Sequence, residues 1–261
     1  MTHSRRSWLA GAALLTFTCL TGQAQEAPRS AANDPKAQTP TAASFRQPRQ
    51  LMPLKAGVSL HYRLALTKRE ASEAAPDESG AKAIPDKQNL LKNHKLVVKQ
   101  LPDQEVGGRL LKVLAYYVDG ELSQQELLSF EAAGLRCHSR VYGPEKHSRS
   151  FRLEGSQLVL KNDLSLGESW AWKGKVGSIN ARSTVTAEGI EPVEAAGQTY
   201  RALKVTTTFD GEDDSHGRST RWYHPGLGVV KEVTEVTTNT ESFVTTAVLS
   251  KVVTKPPAQE R

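Results

Sequence analysis

Seven histidines are the residues best suited to proton transfer or metal ligation, at positions His3, His61, His94, His138, His147, His216 and His224. None forms an HxH, HExxH or Cys/His spacing, so no metal site and no cofactor is predicted from them. The acidic run Asp210-Gly211-Glu212-Asp213-Asp214, followed by His216, offers oxygen ligands to a hard cation. It lacks the alternating Asp/Asn ligands of a calcium loop and reads as a solvated hairpin tip. Nucleophile chemistry fares no better. There is no Gly-x-Ser-x-Gly, and Cys137 sits in a strand-like run with Leu135, Ser139 and Val141 on its own face, where a buried, inert thiol is expected. Gly107-Gly108 precedes a strand rather than a helix, so no phosphate cradle is implied. The catalytic set is empty.

Two groups of residues remain as candidates for binding. Arg136, His138, Arg140, Lys146, His147, Arg149 and Arg152 stand against one acid, Glu145, within seventeen positions. On a strand Arg136, His138 and Arg140 share a face with Tyr142, so the run could meet lipid headgroups, an acidic glycan or an acidic protein. Aromatic and aliphatic residues form the second group. Trp170 and Trp172 lie two apart and share a face, and Leu203 and Val205 alternate with polar neighbours on the way to Phe209. With Trp222 they are expected to line a concave, apolar ligand-binding face.

Strands must position both groups. Runs with period-2 alternation recur at 60–66, 96–101, 110–118, 124–130, 135–142, 179–188, 200–209 and 243–253, with turns at Ala132-Ala133-Gly134, Glu154-Gly155-Ser156 and Ala196-Gly197. One short helix is expected at 86–93. More than ten short strands predict an all-β antiparallel domain over 51–254, as a strongly curved sheet or incomplete β-barrel. Residues 53–62 echo 164–172 in their Leu, Gly, Ser and final aromatic, with Gly57 on Gly167 and Tyr62 on Trp172. Two related halves would produce that echo, and so would two generic strand starts.

The phrases Leu-Gly-Glu-Ser-Trp-Ala-Trp (166–172), Val-Glu-Ala-Ala-Gly-Gln-Thr-Tyr-Arg-Ala-Leu-Lys-Val (193–205) and Arg-Trp-Tyr-His-Pro-Gly-Leu-Gly-Val-Val-Lys (221–231) come in an order that resembles the TapB-like family of exported bacterial β proteins. The likeness covers 163–231, with Gln198 and His224 departing from the family pattern. It implies an extracytoplasmic antiparallel β domain and supplies no catalytic residues.

The N-terminus carries the address. Arg5 and Arg6, the apolar run 8–20 and Gly22-Gln23-Ala24 make an export signal peptide over 1–24. The paired arginines also suit the twin-arginine route, and Cys19 a lipoprotein anchor, although Phe17 and Thr18 precede it where small residues are wanted. Of the 261 residues, 34 are Lys or Arg and 28 Asp or Glu. Removing the signal takes two arginines, leaving a mild positive charge that argues against nucleic acid as partner. One cysteine, Cys137, would remain, so no internal disulfide can form. No later stretch is apolar enough for a transmembrane helix. Residues 25–50 and 70–88 have the composition of a flexible tether and a long loop, and 255–261 that of a frayed tail.

The function expected from these features is a non-enzymatic envelope module, periplasmic or extracellular, binding an apolar small molecule, a lipid or a partner protein. The alternatives are a hydrolase of cell-envelope polymers and a purely structural assembly protein.

Overall fold

Gly197 and Ala196 set the pattern of the chain. Both adopt positive φ, 77° and 47°, the backbone of a two-residue hairpin turn between long strands. The computed structural model describes residues 41–70, 89–143, 149–212, 214–238 and 241–254. A 3-10 turn (Ala42–Arg46) and α1 (Pro48–Leu51) precede twelve strands. These are β1 (Val58–Glu70), β2 (Asn89–Val106), β3 (Arg109–Val118), β4 (Glu121–Glu131), β5 (Gly134–Tyr142) and β6 (Arg149–Lys161). The series continues with β7 (Ser169–Val176), β8 (Ile179–Ala195), β9 (Gln198–Gly211), β10 (His216–His224), β11 (Gly228–Thr237) and β12 (Glu241–Thr254).

Each strand pairs antiparallel with its neighbours in sequence, and β1 pairs with β12, so the sheet closes into a barrel. The all-β expectation holds, and closure replaces the incomplete barrel. Closure gives every strand a partner on both sides, most sparsely between β6 and β7. β1 and β7, which follow the two echoing phrases, stand six strands apart on the ring.

Alternation places one face of each strand in the lumen. Leu64, Leu114, Leu128, Val185, Ala187, Leu203, Val205 and Ala247 fill it, each 5% exposed or less. Ion pairs lie on the outside of the wall, Glu188 with Lys204 and Arg218, and Arg182 with Asp210. On β8, β9 and β10 the outer face is therefore charged, unlike the apolar band of a lipid-spanning barrel.

The segment before β1 departs from the expected tether. Phe45 and Leu51 are 2% and 0% exposed. The Gln50 carbonyl accepts from Gly226 N–H in the β10–β11 turn, and Arg49 lies 4.6 Å over the Phe130 ring at the end of β4. α1 touches both β5 and β11, which face each other across the ring, so the segment spans the barrel mouth as a plug. Phe45, Pro48, Leu51 and Met52 are buried in a stretch whose composition is otherwise that of a linker, and Pro48 starts its helix.

Two smaller expectations change. Residues 89–93 belong to β2 rather than a helix, and β6 runs straight through Glu154-Gly155-Ser156, where Gly155 takes φ 72° inside the strand. The expected export signal 1–24, the first part of the expected tether (25–40), most of the expected 70–88 loop and the expected tail 255–261 lie outside the described residues.

Candidate functional site

Strand β5 decides the fate of the basic run. Its register against β4 and β6 slips at Cys137–Ser139, so His138 is an extra residue on the outer face. A one-residue slip exchanges the faces of everything beyond it. Arg136 and His138 therefore stay outside, while Arg140 and Tyr142 turn into the lumen beside Leu135 and Cys137. The expected common face of Arg136, His138 and Arg140 does not exist. On the outside Arg136 pairs with Glu131 at 3.2 Å and donates to the Ser156 carbonyl, and His138 stands 2.8 Å from Ser129 Oγ and 3.4 Å from Glu131. Burial depresses the His138 pKa against the pull of Glu131. Lys146 and His147 lie outside the described residues, and Arg149 and Arg152 are placed on β6 by backbone alone.

Inside, Arg140 anchors a polar belt. Its Nε lies 3.3 Å from Glu126 Oε1, and its Nη2 donates to Gln157 Oε1 at 2.9 Å. Gln157 donates to Ser183 Oγ, and Tyr116 to the other Glu126 oxygen at 2.9 Å. A second pair, Arg221 with Glu232 at 2.9 Å, closes the belt on the opposite wall, and Ser219 and Thr234 also donate to Glu232. Burial alone would raise the Glu126 pKa, yet the guanidiniums of Arg221 and Arg140 outweigh it and hold the carboxyl below its usual range. The same burial pushes the Tyr142 phenol up to about 12 and the Cys137 thiol up to about 12. A thiol so raised is no nucleophile at neutral pH. Each lumenal carboxylate is matched by a guanidinium, so the belt is a set of satisfied pairs, with no free general base within it.

Above the belt on the β1–β2–β3 side lies a cavity of about 50 Å³. Leu60, Leu96, Val98, Leu114, Val229 and Ala247 form its apolar walls, and Tyr62, Tyr116, Arg221 and Glu232 its polar floor. Met52, Pro53 and Leu54, continuing from the plug, form the roof. Tyr62 Oη donates to the Val229 carbonyl at 2.7 Å, fixing the ring between β1 and β11.

The aromatic set is dispersed. Leu203 and Val205 pair with Tyr223 and Arg221, hence face the lumen, and at 0% and 3% exposure they are core. Trp222 pairs with Lys204 and therefore lies on the opposite face. There it donates to Glu191 at 2.6 Å, under the Lys231 ammonium. Trp170 and Trp172 do share a face, opposite Val185 and Ser183, but they serve the wall. β6 and β7 pair only at Leu153–Val176 and Glu154–Lys175. Past that point the Trp172 indole donates to the Gly155 carbonyl, and the Trp170 indole to the Leu158 carbonyl at 2.9 Å. The indoles stand in for missing backbone rungs.

Sequence reasoning missed the belt residues Glu126, Arg221 and Glu232 and the roof of the cavity. An alternation count gives a signal for Arg221, which falls in phase with Tyr223 rather than Trp222. Among the described residues no three His, Cys, Asp or Glu side chains converge as a metal site. Asp210 is held by Arg182 and Glu212 by Asn180.

No family model and no curated protein matches the sequence. Among solved structures the chain is similar to a protein assigned as a lipoprotein from Parabacteroides distasonis, at 12% identity and TM-score 0.36, over 77% of this chain and 97% of that one. It is also similar to a protein assigned as exported, with a YmcC-like fold, from Bacteroides fragilis, at 11% identity and TM-score 0.33 over the same shares. At this distance the likeness says nothing of what the barrel binds.

Proposed function

We propose that the protein is an exported, non-enzymatic barrel that binds a small apolar or amphipathic ligand in the cavity beneath the N-terminal plug. The observation that carries this reading is the cavity itself: aliphatic walls over a floor with one ion pair and two phenols, with Lys55, Lys99 and Gln100 also on its lining. Apolar pockets with a few oriented polar groups are the usual form of a ligand site. At about 50 Å³ it has room for a few water molecules of about 10–15 Å³ each, so a longer ligand requires the roof of Met52 to Leu54 to move. The export signal over 1–24 and the resemblance to the TapB-like family favour a place outside the cytoplasm. A hydrolase is disfavoured, because each carboxylate of the belt is engaged by a guanidinium.

Native mass spectrometry and lipid extraction of protein purified from its own host test the reading. A co-purifying small molecule is expected, lost in Leu114→Trp, which fills the cavity from β3. An empty wild-type protein, or the same ligand retained by Leu114→Trp, would overturn it.

A further inference from the structure

In an up-and-down barrel the turns fall alternately at the two ends. One end gathers the plug, the β2–β3, β4–β5, β8–β9 and β10–β11 turns, the β6–β7 connection and the end of β12. The most exposed large apolar side chains among the described residues all lie at this end: Leu110 at 68%, Leu166 at 56%, Val106 at 40% and Val252 at 38%. They come from three separate places on the ring, so no local cluster accounts for them. The described turns of the other end carry Asp119, Ser178, Glu212, Asp214 and Thr238.

The centre of the apolar end is basic. The plug turns Arg46, Arg49 and Lys55 outward, all exposed, and none makes an ion pair among the described residues. Of the acids nearby, Glu131 is held by Arg136 and Glu168 by Lys161, which leaves Glu105, Asp163 and Glu194 at the rim. The chain also enters here. Thr41 is the first described residue, and the forty residues before it include the export signal and Cys19.

We propose that this end of the barrel docks on a phospholipid bilayer containing anionic headgroups. The four apolar tips enter the headgroup boundary, and the plug sets its basic face against the phosphates. Separate tips on a ring suit a bilayer, which closes around each of them. A folded partner needs one contiguous apolar patch. Any attachment made by the N-terminal segment reaches the barrel from the same side. The docking does not rest on the cavity reading.

The test is flotation of the processed chain with vesicles of phosphatidylcholine, with and without about one-third phosphatidylglycerol, at low salt. Wild type is expected to float with the anionic vesicles. Leu110→Ser with Leu166→Ser should weaken binding by roughly tenfold. Arg46→Glu with Lys55→Glu should cost about fivefold per residue, on the anionic vesicles only. Arg182→Glu, at the other end and 76% exposed, should change nothing. All of these side chains are exposed, so melting curves should superimpose on wild type. Wild type that stays with the unbound fraction overturns the proposal. So does a leucine double variant that floats as well as wild type, or an equal loss in Arg182→Glu. Leu110, Leu166 and Arg182 do not line the cavity, so a ligand co-purifying there should be retained in those variants.

Discussion

The buried charges behave as pairs, and removing one member tells more than removing both. Glu126 and Arg140 have side chains 5% and 23% exposed. Glu126→Gln should destabilise by about 3–5 kcal/mol, because it leaves Arg140 uncompensated in the lumen. Arg140→Met added to Glu126→Gln should recover most of that loss in urea unfolding, and a double variant weaker than either single one would refute the pairing. Asp119, at the β3–β4 turn, accepts from Lys95 N–H at 2.9 Å and lies 2.6 Å from His94 Nδ1. Burial opposes its ionisation, but these two hydrogen bonds prevail and its pKa falls below the usual value. A carboxyl depressed on folding contributes stability above its unfolded pKa and loses it as pH drops through the folded one. Wild type should therefore lose stability in acid more steeply than Asp119→Asn, as read by urea midpoints between neutral pH and pH 3. None of this was legible beforehand. Arg140 reads as a surface cation by strict alternation, and the bulge at His138 that turns it inward has no signature in residue type.

Elements were legible where alternation was clean and illegible where the ladder is interrupted. Trp170 and Trp172 were correctly placed on one face, and their work as wall fasteners depended on a β6–β7 ladder of two rungs that no spacing reveals. Gly174 belongs to the same seam. A Cβ there would stand 2.1 Å from the Glu154 carbonyl oxygen and 2.6 Å from the Trp172 ring, so the close approach needs glycine. Trp172→Phe keeps the ring and removes the indole donor, and should cost about 1 kcal/mol. Trp222→Ala, at 8% exposure, should cost about 3–5 kcal/mol. Guanidinium melts of both variants give the comparison. Equal losses would mean that Trp172 is ordinary core. Hydrogen exchange should also show the β6–β7 amides opening first in Trp172→Phe.

At the scale of the molecule, strand count and antiparallel class followed from turn spacing, while closure depended on how twelve strands coil together. The plug was hidden by composition: residues 25–50 are poor in apolar side chains, yet Phe45, Pro48, Leu51 and Met52 are buried. Leu51→Ala should cost about 2–5 kcal/mol. It should also raise uptake of a fluorescent apolar probe, since the roof of the cavity follows directly from α1. Unchanged uptake alongside the loss of stability would separate the plug from the cavity.

The ring is closed by its first and last strands, and this bears on how the chain is made. Every other pairing joins neighbours in sequence and can form soon after its second strand is synthesised. β1 waits for β12, nearly two hundred residues later, with one row of backbone donors and acceptors unpaired on a strand that holds Leu64 and Leu66. A chain threaded unfolded across a membrane emerges with that edge open to wrong pairing until Thr254 arrives. A chain exported folded must complete the ring first, so a truncation that removes β12 would stop that route and leave the threaded one open.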